Sequence, residues 1–544
     1  MEENGKDNEL DNSKGVLQVK HSKKLAAKGC SESKKMWHIA GPAILTGLAQ
    51  FSIGFVTTAF IGHIGEVELA ALSVVQNVIE GFSYGIMASF TIITLLISIN
   101  SRDVSIFYFK NNMYSLIYHP CEQIYLKTVS SMSHHRAEAL LLTFSLGMGS
   151  ALETLCGQAV GAGQVNMLGI YMQRSWIITG ITALALTPTY LFASPILNLL
   201  RQSNHVSEFA GRYSVWVIPQ LFAYAFNFPI QKFLQSQSKV WVMTVISIVA
   251  LLFHILLCWV LVTRLGHGLV GAAIAGNISW SFVVLAQMVY IVSGCFPNAW
   301  TGFSLLAFQS LVGFVKLSLS SAIMLCLDFW YFTALILLVG YLKKPEIAVD
   351  AVSICLNLQV WALTIAMGFS AAVSVRVSNE LGAARPIAAK FSIVVAVSAS
   401  ALVGFILMAI ILASKPHFPE MFTNRPLVIK ETSKLGYLLA ATVFLNSIQP
   451  ILNGVAVGAG WQSLVAFVNV GCYYVFGLPI SILLGYKFKF GVLGIWSGIL
   501  SGCLLQTVIL LFITIRTNWH KEALQAEERV RTWGGPSEHE PAKI

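Results

Sequence analysis

The stretch VWVMTVISIVALLFHILLCWVLVT (residues 240–263) decides the fold class. It contains no Asp, Glu, Lys or Arg, and as one helix it is long enough to cross about 30 Å of hydrocarbon. Comparable stretches recur from Trp37 to Ile515, and 56% of the 544 residues are hydrophobic against 11% charged. This balance excludes a soluble globular protein, so the sequence predicts an all-α polytopic membrane protein.

An internal repeat sets the number of helices. Hydropathy alone predicts thirteen spans. Gly62 matches Gly340 at an offset of 278 positions, whereas Gly161-Ala162-Gly163 matches Gly382-Ala383-Ala384 at an offset of 221. The offset therefore drops by roughly 58 positions between the two matches, which predicts an insertion in the first half. Without it, twelve transmembrane helices remain, in two lobes of six.

The predicted insertion covers about residues 88–145, inside the second helix. Its sequence mixes polar, aromatic and charged residues without helical periodicity, while the matching stretch of the second half, residues 348–384, runs unbroken. It is either an added regulatory loop or translated non-coding sequence from a gene model. A loop that splits a packed helix at membrane depth is costly, which favours the second interpretation.

The repeat divides the chain into an N-lobe (residues 37–300, helices 1 to 6) and a C-lobe (residues 301–516, helices 7 to 12). Residues 1–36 are predicted to be a disordered cytoplasmic tail, since they are polar and rich in lysine. Residues 517–544 are predicted to be a cytoplasmic C-terminal tail. The nine cysteines are scattered, with no CxxC pair and no histidine at ligand spacing, so neither a metal site nor a cofactor is expected.

Several long motifs resemble those of the multidrug and toxic compound extrusion (MATE) family, in its plant branch. The resemblance covers nearly everything from Trp37 to Arg516 except the insertion. The motifs are AFIGHIGEVELAALSV (59–74), GMGSALETLCGQAVGAGQ (147–164), MLGIYMQRSW (167–176), NFPIQKFLQSQSKV (227–240) and SVRVSNELGAARP (374–386). In that family GIM, here residues 85–87, runs directly into LGMGSALETLCGQ, so the resemblance places the insertion where the repeat does.

Asp328 is the first candidate for function. It lies twelve residues after Lys316 and fifteen before Lys343, hence near the middle of the bilayer. An ionisable residue there is expensive and is a functional candidate by default. Low polarity disfavours the charged carboxylate, so the group can bind a proton and release it when a substrate arrives. The alternative role is a hydrogen bond that packs the helix.

The resemblance strengthens the case for Asp328, because the family usually has a glutamate here as its coupling carboxylate. Aspartate keeps the titratable group but is one methylene shorter. Some relatives carry another acid in the tenth helix, where this chain has Asn446. An amide cannot bind a proton at physiological pH, so Asn446 and Gln449 are expected only to hydrogen-bond substrate or Asp328.

Other polar residues, and aromatic residues that carry a polar group, are weaker candidates for lining the substrate cavity. Glu80 is as well explained by packing near the lobe interface as by lining the N-lobe cavity. Glu153 and Arg174 are expected to form an ion pair or a cap at the inner gate. The complete set of predicted cavity residues is Gln50, Asn77, Glu80, Trp330, Tyr331, Asn357, Asn446 and Gln449.

Three function classes compete. An enzyme is disfavoured, because the sequence has no metal-spaced histidines, nucleophile elbow or paired loop carboxylates. The phosphate-binding glycine–lysine loop of ATPases is also missing. A secondary antiporter that exchanges organic compounds for protons by alternating access is favoured, since the repeat and a buried titratable group both suggest it. The alternative is a MATE-fold anion channel or permease of the vacuolar membrane.

The predicted partners are a small organic substrate, protons and the lipid bilayer. Flavonoids, other secondary metabolites and xenobiotics are the substrates that the resemblance implies. Nucleic acid is not an expected partner, because the formal net charge of +10 comes largely from short loops and tails that meet lipid headgroups. A monomer in the vacuolar or the plasma membrane is predicted.

Deletion of residues 88–145 is expected to improve membrane insertion and folding, since it restores an unbroken second helix. The measurement is the yield of monodisperse protein, with transcript sequencing across Met87 to Gly147 as a companion check. If every transcript contains the segment and its deletion abolishes folding, the segment is a genuine structural element.

Overall fold

The chain is an all-α membrane protein, as the sequence predicts. The computed structural model describes residues 3–65, 68, 71–72, 75, 151–199, 204–309, 311–340, 342, 345–423 and 425–533. All regular secondary structure in these ranges is helical. The predicted insertion at residues 88–145 and the candidates Asn77 and Glu80 lie outside the described residues.

Twelve helices make up the membrane part of the described chain. Nine of them are long and apolar enough to span a membrane, and two more, Leu168–Leu191 and Asn204–Ser236, fall between them in sequence. The twelfth is described only at its end, residues 151–161. In chain order they are α1 (Glu3–Gly62), α2 (151–161), α3 (Leu168–Leu191), α4 (Asn204–Ser236), α5 (Val240–Arg264), α6 (Gly268–Cys295), α7 (Leu311–Gly340), α8 (Pro345–Gly382), α9 (Pro386–Ser414), α10 (Pro426–Ala459), α11 (Gln462–Lys487) and α12 (Gly491–Arg516).

The helices pack as two groups of six. In the N-lobe α1 packs on α5, and α4 packs on α3 and α6; in the C-lobe α10 packs on α8, α9 and α12, and α7 packs on α11. Helix α1 also packs on α8 and α9, so it joins the lobes. Alternating helix directions bring the start of α1's apolar part and the ends of α2, α8 and α10 to one face, here called the terminal face.

The N-terminal segment differs from the sequence prediction. Helix α1 begins at Glu3, so residues 3–36 are helical, whereas a disordered tail was expected. Its last turns before the membrane are fixed by Glu32, whose carboxylate accepts hydrogen bonds from Arg376 Nε and Ser392 Oγ, both at 2.7 Å. Because these partners lie on α8 and α9, a tertiary ion pair holds the turns around Glu32, which their composition alone assigns to a tail.

A further helix, α13 (Trp519–Trp533), occupies the predicted C-terminal tail and packs against α8 and α9. Trp519, Ala523, Ala526 and Val530 are buried, and their spacing places them on one helix face. Trp519 packs against Trp461 at a centroid distance of 5.4 Å. An amphipathic helix therefore covers part of the terminal face.

Trp519→Ala is expected to release α13, because it removes a buried aromatic side chain that is worth about 3 kcal/mol or more. Limited trypsin digestion of the purified protein should then cut α13 at least about tenfold faster. Leu524→Ala, on the same helix but 66% exposed, is the matched control and should leave the digestion rate unchanged. Equal rates for both variants would show that α13 does not depend on this contact.

Candidate functional site

Asp328 lies on α7 inside the C-lobe and is 9% exposed. Its Oδ1 accepts a hydrogen bond from Asn469 Nδ2 at 3.0 Å, and its Oδ2 accepts one from Asn453 Nδ2 at 3.1 Å. Tyr473 lies one turn further along α11 than Asn469, on the same side of the helix. Helices α10 and α11 thus hold the carboxylate with two neutral amide donors.

A second layer of hydrogen bonds orients these donors. Gln506 Nε2 donates to Asn469 Oδ1 at 2.9 Å, which turns the amide nitrogen of Asn469 towards Asp328. Gln449 Nε2 donates to the Tyr473 hydroxyl at 3.3 Å. The ring of Tyr331 stacks on that of Tyr473, with centroids 4.2 Å apart and an interplanar angle of 5°. Four helices of the C-lobe therefore fix the geometry around one carboxylate.

Asp328 differs from the other buried acids in the described part of the chain. Glu32 pairs with Arg376 at 2.7 Å, and Glu153 pairs with Lys232 at 2.6 Å. Asp328 has no ion-pair partner among the described residues. A buried carboxylate without a counter-charge is costly, so a proton or a cationic ligand that neutralises it is favoured.

The site can also accommodate a protonated carboxyl. Asn453 Oδ1 is buried and makes no hydrogen bond within the described structure. A protonated Asp328 needs an acceptor for its new O–H, and a rotation of the Asn453 amide would supply this oxygen. The same amide can therefore serve either protonation state: as donor to the carboxylate, or as acceptor from the acid.

The predicted cavity residues on α10 share a face with this network. Asn446, Gln449 and Asn453 are spaced by three and four residues, so they follow one stripe of the helix. Asn446 is 3% exposed, and its Nδ2 has no hydrogen-bond partner in the described structure. This orphaned donor lies one turn from Gln449 and two turns from Asn453, so it is an amide on the same stripe that could hydrogen-bond a ligand.

The structure separates the other predicted residues from Asp328. Trp330 is half-buried and lies two positions further along α7, on another side of the helix. Tyr331 is fully buried and donates its hydroxyl to Ile499 O at 2.7 Å, so that hydroxyl is already bound. Asn357 is half-buried on α8. Gln50 lies in the N-lobe, where its Nε2 donates to Ser247 Oγ at 3.2 Å.

The N-lobe pair Gln50–Ser247 is the repeat counterpart of Asp328–Asn469. The offset of 278 carries Gln50 to Asp328, and the offset of 221 carries Ser247 to within one residue of Asn469. In both lobes a side-chain hydrogen bond therefore joins the first helix of the repeat to the fifth, at equivalent positions along the two helices. Only the C-lobe pair contains an ionisable group.

The lobes meet at the terminal face through glycines of α2 and α8. A Cβ at Gly161 would collide with the backbone carbonyl of Asn379, and a Cβ at Gly382 would collide with that of Gln158. The offset of 221 relates Gly161 to Gly382 and Gln158 to Asn379, so these two contacts are equivalent under the repeat. The pseudo-twofold axis therefore passes through this crossing.

Side chains of α2 extend this contact to α10. Thr154 Oγ1 donates to Val457 O at 2.5 Å, and Gln158 Nε2 donates to Gly458 O at 3.1 Å. Arg529 of α13 in turn donates to Gln158 Oε1 at 3.3 Å. The structure thus has the lobes joined at the terminal face by backbone packing and by polar bonds.

The expected pairing of Glu153 with Arg174 is wrong. Glu153 pairs with Lys232 of α4, and Gln235 Nε2 also donates to it at 3.4 Å. Arg174 instead donates to Leu306 O at 3.3 Å, and its guanidinium lies over the ring of Tyr171. The sequence places both residues near the same face but does not reveal which basic side chain α4 directs towards Glu153.

Four residues of the site were missed by sequence reasoning: Asn453, Asn469, Tyr473 and Gln506. Asn453 could have been found, because it continues the polar stripe of Asn446 and Gln449 by one further turn. Asn469 and Gln506 are isolated amides in apolar helices, and that isolation was their only signal.

The fold and site define a multi-pass membrane transporter built from two repeated lobes, and comparisons with known proteins agree. The MatE family matches residues 133–260 and 320–483. Protein DETOXIFICATION 33 of Arabidopsis thaliana is 49% identical over 507 residues, which cover 93% of each chain. Protein DETOXIFICATION 29 of the same plant is 48% identical over 504 residues, 93% of this chain and 89% of the relative.

Solved structures show the same architecture. The crystal structure of the eukaryotic MATE transporter AtDTX14 superposes with a TM-score of 0.76 at 30% identity, covering 92% of this chain and 99% of that one. An outward-facing multidrug resistance MATE transporter superposes with a TM-score of 0.69 at 13% identity, covering 92% and 96%, which shows likeness of fold alone. The chain belongs to the MATE family, and it is a transporter and not an enzyme.

Gly161→Ala and Gly382→Ala are each expected to destabilise the closed terminal face by about 1–3 kcal/mol, since the new methyl group meets a backbone carbonyl that cannot move aside. Because the two contacts are equivalent, both variants should lower the melting temperature of the purified protein by similar amounts. Gly180→Ala is the control, as nothing lies within 4 Å of its Cβ position. A Gly161→Ala variant as stable as Gly180→Ala would contradict the close contact.

Proposed function

We propose that the protein is a secondary antiporter that exports or sequesters organic compounds in exchange for protons, with Asp328 as the coupling carboxylate. The observation that carries the proposal is the burial of this carboxylate among neutral donors, with no basic partner in the described structure. A group in this setting gains from binding either a proton or a positively charged or polar ligand, but the two compete for the same oxygens.

The competition at Asp328 supplies the coupling. When the site faces the acidic side, protonation neutralises the carboxylate and the amide of Asn453 can turn to accept the new O–H. When it faces the other side, the proton leaves and a substrate takes its place beside Asn446 and Gln449. The contacts between α2, α8 and α10 close the terminal face in one half of this cycle.

The proposed substrates are flavonoids, other secondary metabolites and xenobiotics, handled by a monomer in the vacuolar or plasma membrane. The support is the family and the composition of the site. Amide and phenol groups around a single carboxylate offer few fixed polar anchors, and such a site accepts ligands of varied shape. Gln50, Asn77, Glu80, Trp330, Tyr331 and Asn357 remain proposed cavity residues beside Asn446 and Gln449.

Asp328→Asn should preserve expression and membrane insertion but abolish proton-driven exchange. The amide keeps the volume and, once the Asn453 amide turns to accept from it, the hydrogen bonding, yet it cannot release a proton. Asp328→Glu should retain exchange, since the titratable group is kept. The measurement is uptake of a fluorescent organic cation into proteoliposomes under imposed pH gradients. Asp350→Asn makes the same chemical change at an exposed acid of α8 and is the matched control.

Three outcomes distinguish the proposals. Loss of exchange in Asp328→Asn alone supports coupling at this residue. If Asp328→Asn takes up substrate at the parental rate and with the parental pH dependence, Asp328 only packs the helix and does not couple transport to protons. If the parent conducts anions in the absence of a proton gradient and Asp328→Asn conducts equally well, the protein is a channel and the antiport proposal is wrong.

A further inference from the structure

A groove of about 680 Å³ lies on the terminal face, away from Asp328. Both lobes line it. Helix α1 contributes Lys34, Lys35 and Trp37, the start of α5 contributes Trp241, and α8 of the C-lobe contributes Arg376. Two lysines and one arginine line the groove together with His38, and no acidic residue lines it. The groove is therefore a positively charged recess at the junction of the lobes.

The nearest acid is already occupied. Both oxygens of Glu32 are engaged, Oε1 by Arg376 and Ser392 and Oε2 by Lys35 at 3.4 Å, and its side chain is 8% exposed. Arg376 is also bound by Glu380, at 2.6 Å, and Lys35 pairs with Glu32, so the uncompensated positive charge belongs to Lys34. Lys34 is exposed and forms no ion pair within the described residues. It is free to bind an anion from outside the protein.

The start of α5 adds to the positive potential. The helix begins at Val240, and no side chain caps its first turn. Its free N–H groups and the positive end of the helix dipole lie beside the groove, since Ser238 and Trp241 are among the lining residues. Lys239, between them in sequence, is exposed.

Two tryptophans fix the level of the groove in the bilayer. Trp37 is 46% exposed and Trp241 is 50% exposed, and both lie where an apolar helix begins. Tryptophan indoles prefer the headgroup region, so the groove opens among lipid headgroups and not into bulk water. Trp37 is held in place by an edge contact with Phe369 of α8 at 4.9 Å.

We propose that this groove binds the phosphate headgroup of an anionic phospholipid from the leaflet at the terminal face. Lys34 and Lys35 bind the phosphate, and Trp37 and Trp241 contact the glycerol and upper acyl region. Basic recesses between membrane helices commonly bind such headgroups. Because the groove has walls from both lobes, a bound lipid also strengthens their contact at this face, and so stabilises the conformation in which the lobes are joined there.

The test is native mass spectrometry of the full-length protein in detergent, titrated with phosphatidylinositol 4-phosphate. The double variant Lys34→Gln, Lys35→Gln should bind this lipid roughly thirtyfold more weakly, because two lysine–phosphate contacts are lost. Lys316→Gln, Lys521→Gln removes two exposed lysines near the same face but outside the groove, and should bind within about twofold of the parent. The single variant Lys34→Gln, at a lysine without an ion pair in the described structure, should lose roughly fivefold and covers the case in which the double variant fails to fold.

Two further arms separate the possible sources of phosphate. Phosphatidylcholine should bind no better to the parent than to the double variant. The water-soluble headgroup, glycerophosphoinositol 4-phosphate, should bind at least tenfold more weakly than the lipid, because it lacks the acyl region that contacts the tryptophans. If both double variants lose the same affinity for the lipid, binding depends on diffuse surface charge and not on the groove. Equal binding of the soluble headgroup and the lipid would make the groove a site for free phosphates. Either result overturns the proposal.

Discussion

The close approach of α2 to α8 is the contact on which the arrangement of the lobes depends. Helices in a bilayer gain little from burying apolar side chains against each other, since lipid tails are equally apolar. Small residues matter instead, because they let backbones touch. This contact occurs twice: Gly161 of α2 lies against the backbone of α8, and Gly382 of α8 lies against the backbone of α2. The bonds of Thr154 and Gln158 to α10 extend it. The short side chain of Thr154 can reach a carbonyl of another helix only where the two backbones are already close.

The repeat conserves backbone geometry but not charge. The first and fifth helices of each lobe are joined by a polar pair at the same level, Gln50 with Ser247 and Asp328 with Asn469. An amide–hydroxyl pair is neutral at every physiological pH, whereas a carboxylate–amide pair changes its charge with one proton. Two lobes of similar shape therefore have different chemistry, and the acid–base behaviour of this pair is confined to the C-lobe.

The sequence predicted the fold class well for a physical reason. Length and apolarity alone identify a span, and two constant offsets identify the repeat. The burial of Asp328 followed from counting residues between Lys316 and Lys343. These inferences need only distances along one helix, and the helix rise fixes those distances.

The partners of Asp328 needed information that periodicity does not contain. Asn469 reaches the carboxylate because α11 is rotated to face α7, and Lys232 reaches Glu153 because α4 packs beside α2. Such rotations are set by packing around the whole lobe. The same limit explains the N-terminal segment, where Glu32 is anchored by residues of the C-lobe that lie more than three hundred positions away.

Helix α13 follows the last membrane helix, yet it contacts both lobes on the terminal face. Its Arg529 binds Gln158 of α2, and its Glu522 accepts a hydrogen bond from Trp461, which precedes α11, at 2.9 Å. Separation of the lobes at this face must break one of these bonds and leave α13 with the other lobe. The free-energy difference between the conformers therefore includes a contribution from residues outside the bilayer. A covalent modification of α13 would change the ratio of the conformers while leaving the intramembrane chemistry intact.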